Sequence, residues 1–312
     1  MNDISLPAGL WPVMLTPFRD NNELDLPGLE RLTEFYLEKG SNGLFANCLS
    51  SEMFQLTEGE RLQVIETVLK TTAGRVPVVA TGSFGADLDT NADFIKRVYD
   101  LGVAAVIISS NQLVDAQASE GEFQQQLEAL VDKTDGIPLG IYECPVPYKR
   151  LLSSELVGWM AQSGRFVYHK DTSCDSTQIQ QKLEAIQGSS LGLFNANIPT
   201  GLTSLQQGAR GLSPIGANFF PELYSYLCRH YADPDKAESI QKLNALLSVI
   251  DPLVHMNYPL SAKLFLQKRG LAIGATTRTS VHSLSGQELI RLDDLMTIFR
   301  NTLEELTLSV RV

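Results

Sequence analysis

Short runs of apolar and β-branched residues, with little polar alternation, recur through the first two-thirds of the chain. Such runs mark strands buried on both faces. Eight can be placed, at residues 10–16, 43–48, 76–81, 104–109, 138–143, 166–171, 191–195 and 211–216. Longer stretches between them carry apolar residues at three-to-four-residue spacing, the period of an amphipathic helix. Residues 27–39 place Leu29, Leu32, Phe35, Tyr36 and Leu37 in this way, with Asp25 as a cap. Residues 57–71 open with Thr57 three positions before Glu60, a capping-box pattern. Similar helices are predicted over 90–101, 120–133, 153–162, 176–186 and 200–208. From about Phe219 only helical patterns remain, at 220–232, 236–255, 258–270 and 286–308, with an irregular stretch over 273–280.

Strands alternating with helices of this length predict an α/β chain folded as a (β/α)8 (TIM) barrel with a C-terminal helical extension. Residues 1–220 form the barrel core in this reading, and 221–312 the last barrel helix and the extension of the same domain. Periodicity alone leaves a doubly wound open sheet as the alternative. That fold calls for a glycine-rich phosphate turn after an early strand, and the chain has neither GxGxxG nor GxxxxGK[ST].

Composition narrows the partners. With 312 residues, 44% hydrophobic and 20% charged, the chain is long enough for one large core. A net charge of −11, without a basic cluster, argues against nucleic acid and against an anionic membrane surface. The first residues lack the basic end and apolar stretch of a signal peptide, and no apolar run is long enough for a membrane span, so a cytoplasmic protein is expected. Cys48, Cys144, Cys174 and Cys228 lack CxxC spacing, and His169, His230, His255 and His282 are dispersed; neither a disulfide framework nor a metal is implied.

The candidate chemistry centres on Lys170, near the end of the sixth predicted strand. An ammonium in low dielectric either pairs with an anion or loses its proton. A lysine of lowered pKa attacks ketones and forms Schiff bases. Locally, a salt bridge from Lys170 to Asp171 is the simpler reading. Barrel enzymes build their sites at the carboxyl ends of the strands. Here those ends carry Thr16-Pro17-Phe18, Asn47 through Glu52, Tyr142-Glu143-Cys144-Pro145, His169-Lys170-Asp171 and Gly216-Ala217-Asn218.

This set resembles the dihydrodipicolinate synthase / N-acetylneuraminate lyase family of class I, pyruvate-type aldolases. The resemblance runs from Leu10 to about Pro221, and its pieces are Pro12-Val13-x-x-Thr16-Pro17-Phe18, Gly43-Leu44-Phe45 through Glu52, Leu56-Thr57-x-x-Glu60-Arg61, Tyr142-x-x-Pro145, Lys170-Asp171-x-Ser173, Gly208-Ala209-x-Gly211 and Asn218-x-x-Pro221. Tyr142 and Lys170 stand 28 residues apart, a separation that also suits the family. The resemblance implies that Lys170 is the Schiff-base lysine and that Tyr142 moves protons beside it. It makes Ser50, Ser51, Thr16 and Ser213 the substrate-binding candidates. It also implies no cofactor, no metal, a small 2-oxo acid as substrate, and a homo-oligomer, dimer or tetramer.

The chain also departs from the family pattern. The carboxylate-binding loop reads Cys48-Leu49-Ser50-Ser51-Glu52, so Leu49 replaces a hydroxyl residue of the family's proton relay, and Glu52 is expected to order the loop. The segment Ser109 to Val114 lacks the family's aromatic pair, one member of which serves a neighbouring subunit's relay. Pro147 stands where dihydrodipicolinate synthase has an arginine for a second carboxylate, with Lys149 and Arg150 out of register. The expected function is therefore Schiff-base cleavage or formation of a C–C bond in a 2-oxo acid, and not dihydrodipicolinate synthesis. A hydratase, dehydratase or hydratase-aldolase using the same lysine, and a non-catalytic keto-acid-binding barrel, are the alternatives. His169 is expected to face away from Lys170, and Trp11, Phe18, Tyr148 and Phe219 to be core or rim aromatics.

Overall fold

The computed structural model describes residues 5–85, 87–279 and 283–308; His282 and the N-terminal residues 1–4 lie outside these. The strands are β1 (Gly9–Leu10), β2 (Leu44–Ala46), β3 (Val78–Thr81), β4 (Ala105–Ser109), β5 (Leu139–Tyr142), β6 (Phe166–Asp171), β7 (Gly192–Asn195) and β8 (Gly211–Leu212). The helices are α1 (Leu26–Glu38), α2 (Glu58–Thr72), α3 (Leu88–Asp100), α4 (Glu120–Lys133), α5 (Ser154–Gln162), α6 (Ser176–Ala185), α7 (Gly201–Gln206), α8 (Pro221–His230), α9 (Ala237–Val254), α10 (Leu260–Lys268) and α11 (Gly286–Glu305).

All eight strands are parallel, in the order β1-β8-β7-β6-β5-β4-β3-β2. The remaining seam is closed just beyond β1. Trp11 N–H still bonds to Leu212 of β8 at 2.9 Å, whereas Met14 N–H bonds to Phe45 of β2 at 3.0 Å and Phe45 N–H to Pro12 at 3.0 Å. Pro12 has no N–H to offer a ladder, so one short segment hands its bonds from one neighbour to the other. The result is a (β/α)8 barrel with helices α9 to α11 following the last barrel helix.

The elements form for local reasons that the sequence carries. Asp25 accepts the Gly28 N–H at the start of α1, and Thr57 with Glu60 closes the capping box of α2. Where the structure departs from the pattern, a backbone restriction explains it. The second strand stops at Ala46 because Asn47 takes a left-handed conformation, φ 51°, and the chain turns into a short 3₁₀ helix, Leu49–Ser51. The eighth ends at Leu212 because Pro214 cannot continue a ladder, and a 3₁₀ turn, Ile215–Asn218, follows. Tyr258 precedes a proline, which disfavours helix at its own position, so α10 begins only at Leu260.

Two apolar bodies result. The larger lies between sheet and helices. The smaller fills the barrel with Trp11, Val13, Phe45, Val79, Ile107, Tyr168 and Phe194. Tyr168 stacks on Phe194 at 4.4 Å between centroids, and Trp11 lies 5.1 Å from Phe194. Trp11, Phe18 and Phe219 are buried as expected, while Tyr148 sits on the rim with its hydroxyl on the Val114 carbonyl. No helix among the described residues is long and apolar enough to cross a membrane.

The β1/β8 seam leaves no room for side chains. A Cβ on Gly211 would stand 1.9 Å from the Gly9 carbonyl oxygen, which is fixed backbone. Gly211→Ala is therefore expected to lower the unfolding free energy by about 2–4 kcal/mol, read as a lower urea midpoint at unchanged slope.

Candidate active site

β5 and β6 are paired so that Tyr142 faces Lys170 across the ladder. Side chains alternate along a strand, so Tyr168 and Lys170 point into the barrel and His169 and Asp171 point out toward the helices. Lys170 is buried, with its Nζ 4.3 Å from the centre of the Tyr142 ring and 5.9 Å from that of Phe45. Among the described residues no carboxylate reaches its ammonium. Asp171, the locally obvious partner, instead accepts from Lys182 Nζ at 2.6 Å on the other side of the sheet. The salt bridge from Lys170 to Asp171 does not form, because adjacent strand residues face opposite ways.

The electrostatics follow from this separation. Burial pulls the Lys170 amine down to about 8, with only the Cys48 and Cys144 thiols acting against it. Burial likewise pushes the Tyr142 phenol well above its ordinary value, and the thiols and Tyr258 nearby push the same way. Below the pair lies the aromatic floor of the barrel, which keeps water out.

The other predicted positions divide. Ser50 is buried in the 3₁₀ turn that follows β2. The Ser51 hydroxyl donates to the Met14 carbonyl at 2.7 Å and accepts the Cys48 N–H at 3.0 Å, so it braces the loop. The Ser213 hydroxyl donates to the Trp11 carbonyl at 2.8 Å and accepts from Tyr168 at 3.0 Å, in the layer below Lys170. Thr16 is buried, and its hydroxyl has no hydrogen-bond partner among the described residues. Glu52 orders the loop: Lys263 Nζ lies 2.7 Å from its Oε1, and its Oε2 accepts the N–H groups of Arg278 and Thr279 at 2.6 and 3.0 Å.

Sequence reasoning missed Lys263 and Tyr258, which approach from the C-terminal extension. No local signal marks either, because their partners are distant in the chain, Glu52 at a separation of 211 from Lys263 and Asn218 at 40 from Tyr258. Asn111 takes the place of the absent aromatic pair. Its Nδ2 lies 2.7, 2.8 and 2.6 Å from the carbonyl oxygens of Cys144, Val146 and Tyr148, which share its two hydrogens, and so holds the loop after β5. The Arg150 guanidinium is committed to the carbonyls of Asp115 and Ala118, at 3.0 and 2.8 Å.

Behind β5 and β6 lies a buried ionic cluster. Lys182 Nζ bridges Glu143 Oε1 and Asp171 Oδ2 at 2.6 Å each, and Glu143 also accepts the N–H groups of Leu152 and Thr172 at 3.0 and 2.8 Å. His169 Nε2 stands 3.5 Å from Glu143, too long for a good hydrogen bond. Glu143, His169 and Asp171 are spaced as metal ligands could be. The Lys182 ammonium, however, already fills the place a cation would take. The cluster pins both strand ends to α6.

A model of the Dihydrodipicolinate synthetase family matches residues 6–298. The 4-hydroxy-tetrahydrodipicolinate synthase of Legionella pneumophila (strain Corby) is 26% identical over 278 residues, covering 89% of this chain and 93% of its own. Dihydrodipicolinate synthase from Bacillus anthracis superposes with a TM-score of 0.84 at 20% identity, over 93% of this chain and 97% of its own. The chloride-inhibited dihydrodipicolinate synthase from Acinetobacter baumannii, complexed with pyruvate, superposes with a TM-score of 0.82 at 21% identity, over 98% and 100%.

Removing the bridging ammonium tests the cluster. Burial raises the Glu143 carboxyl, but the His169 imidazole and the Lys182 ammonium outweigh burial and hold it below the ordinary carboxylate range. A carboxylate depressed on folding stabilises above its unfolded pKa and loses that contribution as pH falls toward the folded one. Lys182→Met is expected to cost about 3–5 kcal/mol at pH 7. Because the Glu143 carboxyl rises in the variant, its deficit should shrink as pH falls through the ordinary carboxylate range toward about 2. Denaturant titrations across that range, on both proteins, check this.

Proposed function

This chain belongs to the dihydrodipicolinate synthetase family, and from that premise we propose that it is a Schiff-base lyase acting on a pyruvate-related 2-oxo acid. The observation that carries the reading is the buried Lys170 amine, lowered to about 8 and facing Tyr142, with no carboxylate among the described residues to neutralise it. The neutral amine attacks the ketone carbon. Its proton passes to the former carbonyl oxygen, which leaves as water, and the nitrogen lone pair closes the iminium. The iminium then accepts the electron pair of the breaking C–C bond, or yields the carbanion equivalent that forms one. Tyr142, its phenol kept protonated by burial, supplies the proton to the leaving hydroxyl. The substrate carboxylate lies against the loop carrying Ser50, where small hydroxyls and backbone N–H groups suit an anion. The pyruvate bound by the Acinetobacter baumannii protein supports the substrate class.

We propose further that the substrate is not the one that gives the relatives their name. Pro147 offers no donor where a second carboxylate would need an arginine, and the Arg150 guanidinium, three residues on, points its Nη2 at backbone carbonyls of Asp115 and Ala118. A cytoplasmic homo-oligomer, dimer or tetramer, completes the proposal by family resemblance.

The deciding experiment is borohydride trapping with pyruvate, read by peptide mass spectrometry. A reduced pyruvyl adduct on Lys170, absent in Lys170→Met, is expected. An adduct on a different lysine, or none with pyruvate and with larger 2-oxo acids, would overturn the proposal. The initial trapping rate should rise with pH and level off above about 8, as the neutral amine becomes the main form. Because the folded amine titrates near 8 and the free one near 10.5, the folded state binds fewer protons between these values, and at pH 7 the charged group opposes folding. Lys170→Met should therefore be more stable at pH 7, by about 1–3 kcal/mol.

A further inference from the structure

Opposite Lys170 and Tyr142 the barrel end is walled by apolar side chains. Phe45 on β2 faces the pair, its ring 5.9 Å from Lys170 Nζ and 5.8 Å from the Tyr142 ring. Phe45 and Tyr142 belong to one buried apolar body, and the half-buried side chains of Leu49, Phe54, Phe84 and Ile215 pack against it. Each of these four follows the carboxyl end of a strand. Leu49 and Phe54 come after β2, Phe84 after β3 and Ile215 after β8. They therefore stand at the end of the barrel that holds Tyr142 and Lys170, and part of each remains open to solvent. Beyond Tyr142 the chain continues into Pro145, Val146 and Pro147, all exposed, with Val146 at 45%.

This wall is fixed in place. The Phe84 N–H donates to Asn91 Oδ1 at 3.1 Å, and its ring meets those of Phe54 and Phe94 edge-on at 6.2 and 5.7 Å. Arg61 lays its guanidinium on the Phe84 ring at 3.6 Å, with its Nε 3.0 Å from the Met53 carbonyl. Two cations that come from the C-terminal extension are already paired, Lys263 with Glu52 and Arg278 with Glu60. A rigid apolar wall cannot replace the hydration that a carboxylate or a polyol gives up, but it gains by covering an aryl or alkyl group.

We infer that this wall receives the second substrate of the Lys170 site, an uncharged aldehyde with an aryl or branched alkyl body. The inference deepens the Schiff-base reading and rests on it. The C=C electron pair of the enamine on Lys170 forms the new bond to the aldehyde carbon, while the nitrogen lone pair restores C=N. The aldehyde oxygen gains a proton, equal to the one that C3 gave up when the enamine formed. Water then adds to the iminium carbon and frees the lysine amine and a 4-hydroxy-2-oxo acid. Cleavage runs through the same steps in reverse.

The test measures kcat/KM for aldol formation from pyruvate with benzaldehyde, 3-methylbutanal, glyceraldehyde and succinic semialdehyde, beside borohydride trapping with pyruvate alone. The two apolar aldehydes are expected to be preferred by about tenfold or more. Equal or better use of glyceraldehyde or succinic semialdehyde overturns the inference, and the second result would direct attention to Arg61 and the exposed Lys149 as carboxylate partners. Phe54→Ser should reduce the preference by about tenfold, through KM more than kcat. Leu49→Ser, which puts a hydroxyl on the same wall, makes the same comparison if the first variant folds poorly. A loss shared alike by all four aldehydes would mark these residues as structural and would also overturn the inference. An adduct on Lys170 with no aldehyde turned over overturns it while the Schiff-base reading stands; no adduct on Lys170 removes both.

Discussion

Lys170 stands two residues beyond Tyr168 on the inner face of β6, above an aromatic floor and against the Tyr142 ring. A charged amine there is buried away from water and, among the described residues, from any carboxylate, and desolvation works against its proton. Much of the surrounding structure serves that isolation. The closed barrel excludes solvent from below, and the tight Gly9/Gly211 seam closes the wall. Tyr142 offers the face of a π-system, which favours a cation but cannot take its proton.

The charged residues of the same strands lie on the opposite face. Glu143, His169, Asp171 and Lys182 form a compact buried cluster one side-chain period away from the neutral interior. Had the register of β6 slipped by one residue, Asp171 would enter the barrel and Lys170 would leave it. The cluster resists such a slip, because the Lys182 ammonium from α6 holds the carboxylates of both strand ends at once. A buried ion pair of this kind is a weak source of net stability, but losing one partner is costly, so it holds position well.

The mouth is assembled from opposite ends of the chain. Glu52, in a left-handed conformation between two 3₁₀ turns, takes Lys263 and the backbone of Arg278 and Thr279 as partners. Asn218 joins the first strand segment, α1 through Tyr36, and Tyr258 in one hydrogen-bonded set. The helices after the barrel thus do more than cover it. They bring an ammonium that holds Glu52 and a phenol that hydrogen-bonds with Asn218.

The sequence by itself determined the alternation of buried strands and amphipathic helices, because side-chain period and capping are local properties, and the missing glycine-rich phosphate turn favoured the barrel over an open sheet. The resemblance in motif order singled out Tyr142 and Lys170, and the pairing of β5 with β6 sets them side by side. The order and spacing of short motifs were enough to identify the family. The tertiary structure alone decided the partners. Asp171 looks like the partner of Lys170 in the chain, yet the pleat gives it to Lys182. Ser51 and Ser213 look free to bind substrate, yet backbone carbonyls take their hydroxyls. Glu52 and Tyr258 meet groups more than 200 residues and 40 residues away respectively, at Lys263 and Asn218. Contacts at such separations depend on how the closed barrel and its extension pack, and no local preference of the chain encodes them.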